Sequence, residues 1–141
     1  MGKDYSSIII SIFKRKGAEG KYTKIVDSDN QTRNLNSMSI LGENENALIF
    51  YFKDDNNWLL LSNKRVLSNK SGSLYSILNE NIIEVTPAMQ EEFKDGVRSK
   101  LDFTRLKLKD NSSKEYLLFL EKGQPYEGLY QALHFIATKN K

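Results

Sequence analysis

Cysteine is absent from this chain of 141 residues, and histidine occurs once. The missing thiols exclude a disulfide framework, a thiolate nucleophile and any metal site built on cysteine, and they fit a reducing compartment. A metal site would depend mainly on carboxylates, and the acidic residues are scattered along the sequence. The composition therefore predicts a protein without a metal or another cofactor.

Long apolar runs are also missing. No stretch approaches the ~20 apolar residues that a membrane-spanning helix needs. Lys3 precedes the short apolar run Ile8–Ile10, but Asp4 stands between them and the basic run Lys14–Lys16 follows closely. This order does not fit a secretory signal, so we expect a cytoplasmic protein.

The motifs of common active sites are equally absent. The sequence has no P-loop and no Gly-x-Gly-x-x-Gly motif. His134 stands in a helical pattern with no carboxylate partner evident in the sequence. The acidic pairs Asp54–Asp55 and Glu91–Glu92 have the pattern of solvated loops. Since catalysis needs several reactive groups that converge, the sequence predicts a protein that is not an enzyme.

The positive charge is concentrated at one end of the chain. Residues 1–35 carry seven Lys or Arg and four Asp or Glu, whereas the remainder carries fourteen of each sign. The net charge of +3 therefore belongs to the N-terminal segment. Duplex nucleic acid needs a concentrated basic footprint, so the balanced body of the chain argues against nucleic-acid binding.

Hydrophobic periodicity predicts two helices with strands between them. Apolar residues recur at helical spacing over 4–16 and over 125–138, which predicts an amphipathic helix at each end. The continuous and alternating apolar runs between them favour strands. These strands are expected at 46–53, 58–61, 65–67, 82–86, 97–109 and 115–120, with an extended piece at 73–78 and a short strand as an option at 22–26.

The connections and the organisation follow from this pattern. Polar turns are expected at 54–57, 68–72 and 110–113, a loose helix at 89–96, and a bulge near Thr104. We expect an N-terminal helix with its connector at 1–37 and one domain at 38–141. The fold class is α+β, mainly β: an antiparallel, partly open barrel of six or seven strands that the C-terminal helix caps.

Two segments resemble the pleckstrin-homology-like (PH-like) superfold, particularly its bacterial PH-like and GRAM-like domains. They are Leu41–Glu43, before the first long strand, and Trp58–Leu67, where a Ser-Asn-Lys-Arg turn follows an apolar strand. The hairpin and the C-terminal helix also stand where the family has them, so the resemblance covers roughly residues 40–138. One departure is Phe135 in that helix, where eukaryotic members often carry tryptophan.

The resemblance also implies a phosphoinositide site in the loop between the first two strands. Lipid-binding PH domains carry clustered Lys and Arg there, whereas this chain has Asp54 and Asp55 in the loop Lys53–Asn57. Two carboxylates at that position would repel a polyanion. The sequence therefore argues against phosphoinositide binding.

The first basic cluster lies at the end of the N-terminal helix. Ile9 and Phe13 could insert into an anionic membrane while Lys14, Arg15 and Lys16 contact its headgroups. Alternatively, the apolar stripe packs on the domain and the cations stabilise the C-terminus of the helix.

The second basic cluster lies in the predicted strand 97–109. Arg105, Lys107 and Lys109 alternate along one face, with Lys100 nearby, and could form a partner-binding basic face. Alternatively, this is a solvated sheet face whose lysines discourage edge pairing.

Two main functional hypotheses remain from the sequence, and a barrel that binds a small molecule is a third, weaker possibility. The first is a non-catalytic PH-like interaction module that binds a protein or peptide, because folds of this kind accept extended peptides at a sheet edge. The alternative is peripheral association with an anionic membrane through the basic amphipathic helix at the N-terminus. The identity of the partner and the oligomeric state are open at this point.

Overall fold

The computed structural model describes residues 4–27 and 40–140. These residues form three α-helices and eight β-strands, which confirms an α+β protein that is mainly β. In chain order the elements are α1 (Ser6–Lys16), β1 (Thr23–Ile25), β2 (Ala47–Asp54), β3 (Asn57–Ser62), β4 (Arg65–Lys70), β5 (Ser73–Leu78), β6 (Ile82–Pro87), α2 (Met89–Lys94), β7 (Arg105–Asp110), β8 (Glu115–Phe119) and α3 (Gln124–Lys139).

The strands form two antiparallel sheets. Strands β1 to β5 lie side by side in chain order in one sheet, and β6 to β8 form a second sheet in the same way. Within the described residues the number of strands exceeds the six or seven expected, because the short β1 pairs with β2. Hydrogen-bonded pairing does not join the two sheets into a closed barrel in this part of the chain.

The central strands β2 and β3 are buried on both faces. Ile49 and Leu59 point into the main core, whereas Phe50, Trp58 and Leu60 form a second apolar cluster on the opposite face. This two-sided burial explains why the run in β2 is nearly all apolar rather than alternating, as the sequence predicts.

Helices α1 and α3 pack against each other in antiparallel fashion over the main core. The ring of Tyr5 meets that of Phe135 at 5.5 Å between centroids. At the other end Phe13 lies against Gly128, where an added Cβ would stand only 2.7 Å from Cδ1 of Phe13. Ile9 is buried between these contacts. Glycine at this position therefore allows the two helices to approach closely, and α1 shares one core with the sheets.

Two predicted boundaries are corrected by the structure. The strand expected over 97–109 begins only at Arg105, and a 3₁₀ turn, Lys100–Asp102, precedes it. Leu101 is 77% exposed and Phe103 is 2% exposed, so they do not share a sheet face. The polar loop expected at 68–72 shrinks to two residues, because β4 continues to Lys70.

The predicted connector between the N-terminal helix and the domain is only partly covered by the described residues. Residues 28–39, which include the expected boundary at 37, lie outside the described ranges. No helix in the described part of the chain has the length and apolar character needed to cross a bilayer.

Candidate functional site

The side chains of the turn Ser62–Arg65 connect neighbouring segments of the chain through hydrogen bonds. The Ser62 hydroxyl accepts a hydrogen bond from the Arg65 backbone N–H at 3.0 Å. The Asn63 side chain accepts one from the Asn46 N–H at 2.8 Å, and the Asn63 N–H donates to the Asn46 carbonyl at 3.0 Å. The motif therefore ties the β3–β4 turn to the segment that leads into β2.

Glu45 completes this arrangement. Its carboxylate accepts hydrogen bonds from the Ser62 hydroxyl at 2.6 Å, from Nε of Arg65 at 2.9 Å and from the Gly42 N–H at 2.8 Å. Burial raises the pKa of Glu45, but these hydrogen bonds together lower it more, so the group titrates below its ordinary range. Glu45 therefore joins the segment Leu41–Glu43 to the β3–β4 turn.

The turn between β2 and β3 presents acidic groups to solvent. Asp54 Oδ1 accepts hydrogen bonds from the Asn57 side chain at 2.8 Å and from the Asn56 N–H at 2.9 Å. These bonds, that of Asn57 first, lower the pKa of Asp54, which keeps it ionised at neutral pH. Asp55 is exposed beside it. A phosphoinositide headgroup would meet two negative charges at this turn.

The five residues predicted to contact a membrane fall into two groups. Ile9 is 1% exposed and Phe13 is fully buried, and both belong to the main core. Lys14, Arg15 and Lys16 are exposed at the end of α1. Insertion of the apolar pair into a bilayer would require α1 to separate from α3, whereas the three cations are accessible as they stand.

The basic face of β7 is balanced by acids from neighbouring elements. Lys107 Nζ lies 3.2 Å from Glu91 Oε2, and Lys109 Nζ lies 3.7 Å from Glu84 Oε2. Arg105 pairs with carboxylates as well. The cations predicted to bind a partner therefore have intramolecular partners already, which weakens the field they present to an acidic ligand.

Arg105 and Glu92 form a buried cluster at the start of β7. Glu92 Oε2 accepts hydrogen bonds from the backbone N–H groups of Thr104 at 2.6 Å and Arg105 at 3.1 Å, and Oε1 lies 3.5 Å from the Arg105 guanidinium. Glu92 has no exposed surface, so the interpretation of its acidic pair as a solvated loop was wrong. Lys100, the fourth residue of the predicted basic face, is exposed on the 3₁₀ turn outside this cluster.

The outer edge of β5 is the candidate functional site. β5 is the last strand of the five-stranded sheet, and no other described strand pairs with its outer side. Leu74 is 55% exposed, Leu78 is 45% exposed, and the two share one face of the strand with Ser76 between them. On the opposite face the ring of Tyr75 meets that of Tyr116 at 5.4 Å between centroids. An edge strand with exposed apolar side chains can accept a further strand.

A cleft of about 240 Å³ opens where β5 ends. Leu78 gives it an apolar wall, and Lys64 and Glu80 contribute one charge of each sign to its lining. Asn79 also lines the cleft, and its buried Oδ1 accepts no hydrogen bond from any described residue. The cleft therefore combines apolar and polar groups suited to one side chain of a bound chain.

The spacing of Leu74 and Leu78 is the sequence signal that could have indicated this edge. Leu78 follows Leu74 by four positions in a predicted extended segment, which places both on one face. Their exposure depends on β5 being the outermost strand of its sheet. That order is set by the tertiary fold, so the pattern alone was compatible with a covered strand.

Apart from the β5 edge, we considered His134 and clusters of metal-ligating side chains among the described residues. His134 is exposed on α3, with its ring 6.0 Å from that of Tyr130. In the ranges 4–27 and 40–140, no three His, Cys, Asp or Glu side chains come together as a metal site. No protein-family model, curated protein or solved structure matches the sequence.

Proposed function

We propose that this protein is a non-catalytic, PH-like interaction module that binds an extended peptide segment of a protein partner along β5. Four long strands, β2 to β5, precede a sheet of three strands and a C-terminal helix that packs on the core. This order agrees with the PH-like pattern inferred from the Ser62–Arg65 turn. The proposal includes a cytoplasmic location and a bacterial-type domain, as the sequence suggested.

The outer edge of β5, with which no described strand pairs, is the observation that carries the proposal. The Asn79 N–H donates to the Lys64 carbonyl at 2.9 Å, directly beyond the register pair Arg65 and Leu78. Since residues that exchange hydrogen bonds alternate with those that do not in antiparallel pairs, the next residues bonded to β4 are Ile77, Tyr75 and Ser73. The backbone groups of Leu74, Ser76 and Leu78 therefore point away from β4, toward an added strand.

The side chains at the edge indicate which peptides fit. Leu74 and Leu78 offer apolar contacts at two positions on one face. A peptide paired with β5 would place alternate side chains on that face, where apolar residues are favoured. Its next residue on that face would reach the cleft beside Leu78, where Lys64 and Glu80 accommodate a polar group.

Selection from a random peptide display library, followed by isothermal titration calorimetry, tests this proposal. We expect the selection to yield extended peptides with alternating apolar residues. In NMR spectra of the protein, addition of such a peptide should shift the amide signals of residues 74, 76 and 78. Ser76→Pro removes one outward N–H and should weaken binding about tenfold, the loss expected for one hydrogen bond of ~1.4 kcal/mol.

Ser76→Ala is the matched control. It removes only the hydroxyl, which accepts a 3.3 Å hydrogen bond from Arg65, and should leave affinity within about twofold. The proposal is wrong if selected peptides bind Ser76→Pro and the wild type equally while the circular dichroism spectra of both proteins agree, or if their signals map to another surface.

Membrane association through α1 remains the alternative prediction. The three exposed cations at the end of α1 favour it, whereas the burial of Ile9 and Phe13 removes its apolar component as long as α1 stays packed on α3. Deleting residues 1–16 would also expose the core, so a charge reversal of Lys14–Lys16 is the cleaner test.

A further inference from the structure

Three exposed large apolar side chains lie in the segment between β6 and β7. Leu101 is 77% exposed, Phe93 is 48% exposed and Met89 is 41% exposed. Met89 and Phe93 are four residues apart on α2, so they share one side of that helix. The ring of Phe93 lies 6.3 Å from that of the buried Phe103, and Leu101 precedes Phe103 by two residues. Met89, Phe93 and Leu101 therefore all belong to the short segment that surrounds the buried Phe103.

This region is held in place by hydrogen bonds rather than being a loose loop. Gly96 ends α2 with φ of +84°, its N–H donates to the Phe93 carbonyl at 3.0 Å, and the Val97 N–H donates to the Glu92 carbonyl at 2.9 Å. This is the Schellman arrangement of a helix C-terminus. It fixes the backbone that carries Phe93, so exposure of the ring is a property of the fold.

The turn that carries Leu101 is fixed in a similar way. The Ser99 hydroxyl accepts a hydrogen bond from the Leu101 N–H at 3.2 Å, and Phe103 anchors the other end in the core at 2% exposure. Leu101 thus stands at the tip of a short, supported turn.

The charges around these apolar side chains are predominantly positive. Lys94, Arg98 and Lys100 are exposed, and none forms an ion pair with a described residue. The acids of the same segment are engaged elsewhere: Glu91 pairs with Lys107, and Glu92 and Asp95 pair with Arg105. One arginine faces two of these carboxylates, which leaves one negative charge, but Lys94, Arg98 and Lys100 outnumber it, so the net charge of this surface is positive.

Further cations border the same end of the molecule. Lys122 Nζ lies 3.9 Å from Asp102 Oδ1, which offsets the acid next to Leu101. Gly17, directly after the basic run Lys14–Lys16, lies against the backbone of Gln124, two residues after Lys122. The exposed end of α1 therefore adds positive charge beside this region.

We propose that this surface, formed by Met89, Phe93 and Leu101 with Lys94, Arg98 and Lys100, docks on an anionic phospholipid bilayer. Leu101 and Phe93 enter the interfacial region, and the surrounding cations contact the headgroups. The proposal is independent of peptide binding at β5. It keeps the cations of α1 as contributors but does not require Ile9 or Phe13 to leave the core.

Charge complementarity and shape favour a bilayer over other occupants. Apolar side chains among unpaired cations match the boundary between acyl chains and anionic headgroups. A second copy would bring the same cations against each other, which is unfavourable. The most exposed residue stands at the tip of a turn rather than in a groove, so an extended peptide has no channel to occupy there.

Vesicle co-sedimentation with the full chain tests the proposal. We expect binding to phosphatidylcholine vesicles that contain about 30 mol % phosphatidylserine, weaker binding to phosphatidylcholine alone, and loss of affinity as salt is raised well above about 0.1 M. Leu101→Ser should weaken binding about tenfold, since it removes the most exposed apolar contact. Lys100→Ala should weaken it about fivefold.

Leu74→Ser is the matched control, because it also replaces an exposed leucine but on β5. It should leave vesicle binding unchanged and weaken binding of the selected peptides, whereas Leu101→Ser should do the reverse. This pair of variants separates a failure of the membrane proposal from a failure of the peptide proposal.

Three outcomes would overturn the membrane proposal. The first is no binding of the wild type to anionic vesicles at low salt. The second is binding that Leu101→Ser and Lys100→Ala leave intact but reversal of Lys14–Lys16 abolishes, which would assign the contact to α1. The third is a dimer in sedimentation velocity that Leu101→Ser dissociates, which would assign the surface to a second copy of the chain.

Discussion

The Glu45–Arg65 pair and the Glu92–Arg105 pair both stand at turns of the chain, yet their carboxylates bind different donors. Glu45 accepts from a hydroxyl, a guanidinium and one backbone N–H. Glu92 accepts from two backbone N–H groups, and its arginine lies at 3.5 Å. The Glu45 carboxylate connects side chains from several segments, whereas the Glu92 carboxylate mainly accepts hydrogen bonds from backbone N–H groups at the start of β7.

This difference determines what each carboxylate leaves behind when it is removed. The partners of Glu45 include an arginine whose side chain is 25% exposed and can turn to water. Glu92 has a side chain that is 1% exposed, and its removal leaves two backbone donors without their acceptor. The Arg105 guanidinium keeps Asp95 and the Glu91 carbonyl as partners. Burial of unsatisfied polar groups is costly, so we expect the second site to be the more sensitive one.

The largest effect is expected for Glu92→Ala. It should lower the free energy of unfolding by about 2–6 kcal/mol, because two backbone donors lose their acceptor at about 1–3 kcal/mol each. Urea denaturation followed by circular dichroism measures this change. Glu92→Gln, which keeps one oxygen acceptor and the side-chain volume, should recover part of the loss; equal destabilisation by both variants would show that the charge matters and the backbone hydrogen bonds do not.

A smaller effect is expected for Glu45→Gln. It removes the charge from a carboxylate that accepts three hydrogen bonds, and should lower the free energy of unfolding by about 1–3 kcal/mol at pH 7. The comparison with Glu92→Ala fails if this variant is the more destabilised of the two in the same urea series.

The pH dependence of Glu45→Gln provides a further check. The pKa of Glu45 is lower in the folded state than its ordinary value of about 4.3. Its contribution is therefore fully present above about pH 5 and is lost as the pH falls through the folded-state pKa. The difference between wild type and variant should be constant from pH 7 to about pH 5 and shrink below it. A difference that grows in acid would contradict the assignment.

The smallest effect is expected for Tyr126→Phe. The Tyr126 hydroxyl donates to the Arg105 carbonyl at 2.7 Å, a neutral hydrogen bond next to the Glu92 cluster. Its removal should cost about 1 kcal/mol. Tyr130→Phe, on the same helix and without a hydroxyl hydrogen bond to a described residue, serves as control and should be close to neutral. A Tyr126→Phe effect as large as that of Glu92→Ala would mean that the strand start depends on the helix rather than on the carboxylate.

Much of the fold could be predicted from periodicity, because the elements with a long apolar stripe have a local signature. The stripe of α1, the continuous run of β2 and the C-terminal helix were all recognised at nearly the observed bounds. The turn at Ser62–Arg65 was predicted from polar residues between two apolar strands, and the structure supplies the physical reason for its residues, which is the hydrogen bonding around Glu45.

The parts that could not be predicted depend on contacts between distant elements. α2 places Glu92 inside and Phe93 outside, the reverse of what hydrophobicity favours, because the donors of Glu92 belong to residues 104 and 105. Likewise, β7 starts late because Glu92 binds the N–H groups of residues 104 and 105 and because a 3₁₀ turn precedes them. No pattern within α2 itself reports a backbone donor twelve residues further along the chain.

The close packing of α1 on α3 has a consequence for synthesis of the chain. α1 is synthesised before α3, but Phe13 fits against Gly128 and the ring of Tyr5 against Phe135. Until α3 has been made, the apolar stripe of α1 lacks its main cover, and exposed stripes of this kind attract chaperones or other chains. α3 therefore completes the burial of α1, and a ribosome that stalls before residue 128 would hold a chain that cannot bury this stripe.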